Sequence, residues 1–173
     1  MLYFISDTHF GHTKVLQYCN RPYTTINEMD EDLIQKWNSV VKEKDTVYIV
    51  GDFSFRDPLI YLRQLKGKKR LITGGHDYNW KKRFCEFDSV EKMDILKLNL
   101  YSIVLSHCCF RVWERSHYNS WHLFGHSHGK LEPIGKSWDV GVDANNYGPP
   151  LSLDEIVEIM KTRPDNPNLI RKK

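Results

Sequence analysis

The stretch Leu2-Tyr3-Phe4-Ile5-Ser6-Asp7-Thr8-His9-Phe10-Gly11-His12 decides how the chain is read. Its apolar run is long enough only for a short buried strand, and it feeds directly into a polar segment bearing a carboxylate and two imidazoles. The same grammar returns downstream. Thr46-Val47-Tyr48-Ile49-Val50 stops at Gly51-Asp52, and Arg70-Leu71-Ile72-Thr73 stops at Gly74-Gly75-His76-Asp77. Residues 87–106, with Val90, Ile95, Leu96, Ile103, Val104 and Leu105, predict two or three strands, the last ending at Ser106-His107. Trp121-His122-Leu123-Phe124 stops at Gly125-His126-Ser127-His128, and residues 137–142 predict one more strand. Five times, a strand-like run ends in Asp or His. In α/β sheets ligands bind beyond the carboxyl ends of strands, so five segments remote in sequence are expected to share one crevice.

Helices fill the intervals. Met29, Leu33, Ile34, Trp37, Val40 and Val41 predict an amphipathic helix over 28–42, with Asn27 as its N-cap. A second is expected over 57–66, and Ser152 with Glu155 predicts a capping box on a last helix carrying Leu153, Ile156, Val157 and Met160. Strand–helix alternation marks an α/β class. With no repeat or linker, residues 1–163 are expected to form one domain, followed by a flexible basic tail over 164–173.

Composition sets the outer bounds. The 173 residues are 40% hydrophobic, 27% charged and 13% aromatic, which argues against a disordered chain. No apolar run approaches the ~20 residues of a membrane-spanning helix, so no membrane partner is expected. A net charge of +3 is too small to name a partner by itself. Cys108 and Cys109 are adjacent, which suits neither a disulfide framework nor a metal knuckle. With no leader pattern after Met1, a cytoplasmic location with reduced thiols is expected, and no obligate protein partner is evident.

The strand-end residues supply the chemistry. Asp7, His9, Asp52, His107, His126 and His128 are two carboxylates and four imidazoles, enough to hold two divalent cations with Asp52 shared. Mixed N/O ligation suits manganese first, with iron, nickel, cobalt or zinc as alternatives. Metals ~3.5–4 Å apart acidify a bridging water and clamp a phosphoryl group.

The ordered set Asp7-x-His9, Gly51-Asp52, Gly74-x-His76-Asp77, Ser106-His107 and Gly125-His126-x-His128 resembles the calcineurin-like metallophosphoesterases. The match spans residues 7–128. It implies a four-layer α/β/β/α sandwich of two mixed sheets flanked by helices. It also implies two metals, and in-line hydrolysis of a phosphate ester by a metal-bridging hydroxide. Residue by residue, it implies that Asp7, His9 and His128 hold the first metal, that Asp52 bridges, and that His107 and His126 hold the second. His76 would assist the leaving group, with Asp77 orienting it. One departure stands out: the family's third motif carries an Asn ligand where this chain has Gly75, so the second metal site is expected to be weaker.

Other residues admit two readings. His117 and His122 fit ordinary structural histidines, and Cys108 and Cys109 fit packing residues. His12, Arg111 and Arg115 are candidates for substrate contact. With Trp113 in the same segment, the two arginines favour a nucleotide or nucleic-acid phosphodiester. Phe53, Phe55 and Tyr147 are candidates for lining the cleft, core packing being favoured for the two phenylalanines. Lys66–Arg70 and Lys81–Arg83 read as solvated faces, the latter also as a phosphate-steering rim. The alternatives are a phosphomonoesterase acting on a small molecule or phosphoprotein, a degenerate phosphate-binding module, and an oxygen-using metalloenzyme, for which no cosubstrate pocket is legible.

Overall fold

The computed structural model of the protein describes residues 1–170. Its elements are β1 (Leu2–Ile5), α1 (Val15–Tyr18), α2 (Ile26–Val40), β2 (Thr46–Ile49), α3 (Leu59–Leu62), β3 (Lys68–Ile72), a 3-10 segment over Asp77–Glu86, β4 (Ser89–Glu91), β5 (Met93–Lys97), β6 (Ser102–Ser106), a 3-10 turn at Ser116–Tyr118, β7 (Trp121–Phe124), β8 (Ser137–Asp139), β9 (Leu151–Ser152) and α4 (Leu153–Thr162). One sheet runs β4-β3-β2-β1-β9, parallel except for β9, and the other runs β5-β6-β7-β8, parallel except for β5. The fold is the expected one: two mixed sheets flanked by helices.

Period-2 patterning divides the first sheet's side chains between two cores. Tyr3, Ile5, Val47, Ile49 and Leu71 face α2 and α3, meeting Met29, Leu33, Trp37, Tyr61 and Leu62. Phe4, Tyr48, Val50 and Ile72 face the second sheet, meeting Ile103, Leu105, Trp121 and Leu123, and Ile156 and Met160 of α4 join this core. Each fully buried large apolar side chain here contributes about 1.5–3 kcal/mol. The outer face of the second sheet is covered by the 108–120 segment rather than by a long helix. Phe110 and Trp113 lie against the buried His122 ring, with centroids 5.2 and 5.3 Å away.

Local chemistry moves two boundaries. The cap of α2 is Thr25, not Asn27: the Thr25 hydroxyl accepts from the Glu28 amide, while the Glu28 carboxylate takes the Thr24 amide at 2.9 Å. The predicted box at α4 is present, with Ser152 and Glu155 satisfying each other's amides. At the other boundary, residues 164–170 do not form a loose tail. The buried Asn166 amide donates to Ser116 O (3.0 Å) and Ser120 O (2.9 Å), and the Ile170 amide donates to His117 O (3.0 Å). Arg171-Lys172-Lys173 lie outside the described residues.

The two sheets are joined at one end by Ser6. Its amide donates to Val140 O (3.0 Å) and its carbonyl accepts from the Val142 amide (3.1 Å). That end is where β1, β2, β3, β6 and β7 all finish.

Candidate metal centre

Parallel pairing within each sheet, together with the Ser6 junction, brings the five strand-end segments to one edge. The loops then turn sharply. Asp7, His9, Asp52, His126 and His128 all have positive φ, between 48° and 68°. This left-handed conformation is tolerated best by Asp, Asn and His among residues with side chains, and it still costs of order 1 kcal/mol each. Glycines give the space. A Cβ on Gly51, whose φ is +90°, would sit 2.3 Å from His107 Nδ1, and one on Gly125 would sit 1.9 Å from Ser6 Oγ.

The six expected ligands fall into two clusters, Asp7–His9–His128 and Asp52–His107–His126, each with its donor atoms within 4.8 Å of one another. Asp7 Oδ1 lies 3.8 Å from His9 Nε2 and 3.9 Å from His128 Nε2. Asp52 Oδ2 lies between the clusters, 3.7 Å from His9 Nε2 and 3.4 Å from His107 Nε2. Donors bonded at 2.0–2.2 Å to a shared ion stand roughly 3–4 Å apart, so these spacings fit cation ligation.

A second observation tests the fit. Asp7 Oδ1, His9 Nε2 and His107 Nε2 are buried atoms with no hydrogen-bond partner among the described residues. Such orphans cost free energy unless something else satisfies them. Meanwhile the outward-facing atoms of the same residues are held. Asp7 Oδ2 accepts from Ser6 Oγ (2.7 Å) and the His126 amide (2.9 Å), and His107 Nδ1 bonds Val50 O (2.9 Å). His128 Nδ1 bonds Asp143 Oδ2 (2.6 Å). Fixing Nδ1 from behind aims Nε2 inward, the arrangement of a ligand supported by its outer shell. The residues fit divalent-cation ligation.

Electrostatics agree. Burial pushes the Asp7 carboxyl up to about 6, against the pull of His107 and His128, and burial pushes His9 down to about 3. His107 is buried as well, but the Asp52 carboxylate 3.4 Å from its Nε2 and the charge of Asp7 outweigh that and raise it to about 9.

His76 sits at the rim. Its side chain is 48% exposed, its Nε2 lies 3.9 Å from Asp52 Oδ2, and its ring packs 4.7 Å from Phe55. Asp77 does not orient His76 through a side-chain bond. Its buried carboxylate accepts the amides of Asp52 (2.9 Å), Phe53 (2.9 Å) and Gly74 (2.8 Å), tying two ligand loops together. Gly75 is exposed, and a Cβ there would meet nothing within 4 Å.

The remaining candidates separate. His12 Nδ1 lies 3.3 Å from His9 Nδ1, and the His12 ring stacks on Phe55 at 3.6 Å, so both residues flank the centre. Phe55 is therefore a cleft residue, whereas Phe53 is core and Tyr147 is half-buried against Tyr23. Arg115 lines a hollow with Ser102 and Trp121, the first residues of β6 and β7. Because the ligand loops leave the opposite ends of those strands, Arg115 stands a strand length away, roughly 13–16 Å. Trp113 is buried, its indole donating to Ser120 O (3.1 Å), so it offers no free face to a base. Arg111 is exposed, four residues after His107. His122 is a satisfied structural histidine, accepting the Phe110 amide at 3.0 Å.

Sequence reasoning missed Arg21 and Asp143. Arg21 is buried and forks onto Asp143, while its Nη2 also donates to Asp7 O (2.7 Å) and its Nη1 to Thr8 O (3.1 Å). Cys19 lies beside this pair, its Sγ within 4.8 Å of donor atoms of His128 and Asp143.

No family model matches the chain. The gene 66 protein of Mycobacterium phage L5 is 37% identical over 81 residues, 43% of this chain and 39% of the phage protein. A crystal structure titled as a protein of unknown function, AQ665 from Aquifex aeolicus, superposes with a TM-score of 0.73 at 27% identity, over 92% of this chain and 98% of that one. The uncharacterized protein MJ1445 of Methanocaldococcus jannaschii is 34% identical over 172 residues, 92% of this chain and 91% of the archaeal one. At that identity and coverage, the chain belongs to one family with MJ1445.

Proposed function

We propose that the protein is a metal-dependent phosphoesterase of the calcineurin-like type, acting on a phosphodiester. The observation that carries this reading is the pair of three-residue clusters sharing Asp52, with orphaned donors aimed at their centres. Asp7, His9 and His128 would hold one cation, His107 and His126 the other, and Asp52 both, with manganese the expected metal and the second site the weaker. Bound there, two divalent ions supply a low-pKa water nucleophile and neutralise charge on the phosphoryl oxygens.

The chain's own groups do the rest. His9, His107 and His128 present fixed Nε2 atoms. Asp77 and Arg21 hold the loops that carry Asp52 and Asp7. His76, exposed at the rim, is placed to give a proton to the departing alcohol oxygen. The diester preference rests on the exposure of His76, whose half-open side chain leaves room for a substituent beyond the leaving oxygen.

The test is hydrolysis of bis-p-nitrophenyl phosphate and of p-nitrophenyl phosphate by stripped protein reloaded with Mn²⁺. The diester should turn over faster, and His76→Ala should lose roughly 10²–10⁴-fold in kcat while still binding metal. Turnover of neither ester by the metallated protein overturns the reading and favours a phosphate-binding module.

A further inference from the structure

A groove of about 830 Å³ opens directly beyond His76, lined by Asp57, Tyr78, Asn79, Trp80, Lys81, Lys82 and Arg83. It begins two residues after His76 and is bounded on its other side by Asp57, two residues after Phe55. The Phe55 and His76 rings are 4.7 Å apart at the rim of the metal centre, so both chain segments that line the groove set out from that rim.

Its lining has two chemical characters. The sole carboxylate, Asp57, is already paired with Arg83 (Nη2 to Oδ2, 2.6 Å). Lys81 and Lys82 are exposed and add two positive charges that Asp57 does not balance. Tyr78 is 45% exposed, with its hydroxyl 3.3 Å from Thr73 Oγ1, so a tethered aromatic ring lines the groove with much of its surface open. Trp80 forms the floor, and its indole Nε1 is a buried donor with no acceptor among the described residues.

Paired cations beside an aromatic face are what an unpaired polynucleotide strand requires. The cations track successive phosphates and the ring stacks a base without reading its sequence. A mononucleotide or a small monoester would leave such a groove unused. We infer that this groove binds a single-stranded nucleic acid, taking the nucleotides on the leaving-group side of the scissile phosphate. The inference deepens the phosphodiesterase reading and rests on it for the placement of the strand.

The experiment is fluorescence anisotropy of a fluorescein-labelled 12-nucleotide single strand, DNA in one arm and RNA in the other. EDTA is present so that binding is read without cleavage. Wild-type protein should bind, and Lys81→Ala/Lys82→Ala should raise Kd at least tenfold. The same variant should flatten the slope of log K against log[salt] by about 1.4, the value for two lost phosphate contacts. Tyr78→Ala should raise Kd about tenfold. A charge control, Lys42→Ala/Lys44→Ala, exposed in the turn between α2 and β2, should stay within twofold. Equal Kd and slope in the groove variants and the charge control, or no binding by the wild type, overturns the inference. Because no catalysis is measured, failure here is distinguishable from failure to hydrolyse the nitrophenyl esters.

Discussion

Arg21 grips Asp143 with both arms of its guanidinium, Nε to Oδ1 at 2.9 Å and Nη2 to Oδ2 at 2.7 Å, across 122 residues of sequence. Asp143 in turn holds His128 Nδ1, and the same guanidinium holds the carbonyls of Asp7 and Thr8. One buried cation therefore sets the position of two ligands. A lysine keeps the charge but not the fork. Arg21→Lys is expected to weaken Mn²⁺ binding by roughly 10–100-fold, read by isothermal titration calorimetry, with Asp143→Asn falling in the same range. Affinities unchanged in both variants would remove the pair from the metal site's support.

Asp77 should behave as a staple between loops. With three amides sharing two oxygens, Asp77→Asn places an NH₂ against at least one backbone donor. The expected loss is about 1–3 kcal/mol, a drop of several degrees in the thermal midpoint of metal-free protein. If the melting point held and only the pH profile of hydrolysis moved, Asp77 would instead be tuning His76.

Gly75 has open space at the position where the resemblance to calcineurin-like phosphoesterases implies an Asn ligand. Gly75→Asn should fold without strain, leave the melting temperature within ~1 °C, and lower the Mn²⁺ concentration needed for half-maximal turnover. An unchanged metal requirement would mean that the amide does not reach the Asp52–His107–His126 cluster.

His122 predicts an acid-sensitive core. Burial pushes it down to about 4, below the ordinary 6.5 of an unfolded chain. Between those values the unfolded chain takes up a proton that the folded protein refuses. The stability is therefore full above pH 6.5 and drains as pH falls toward 4, by roughly 3 kcal/mol at most. Urea unfolding of metal-free protein should show this slope, and His122→Gln, which retains an acceptor for the Phe110 amide, should flatten it.

Much of this was legible because parallel strands convert sequence order into spatial convergence. Each apolar run ending in Asp or His names both a strand and a ligand, and Asp7, Asp52 and His107 could be read from that alone. What was not legible lacked a local pattern. Arg21 and Asp143 belong to separate loops and acquire meaning only when the Ser6 junction closes. Thr25 and Asn27 are both good capping residues, and the choice fell to the Glu28 carboxylate reaching Thr24. Trp113 and Arg115 share a segment suggestive of nucleic-acid contact. The covering of His122 draws the tryptophan inward, and the 116–120 turn carries the arginine to the wrong end of the sheet.

The left-handed backbone at five of the six ligand positions has a consequence for how such a protein ages under mutation. Replacing any of these side chains by glycine relieves torsional stress and, at Asp7, removes a negative charge that burial disfavours. The scaffold can therefore gain robustness by giving up the proposed cation site. Where selection asks only for a sturdy scaffold, decay should begin at these tight corners, leaving a barren but durable sandwich behind.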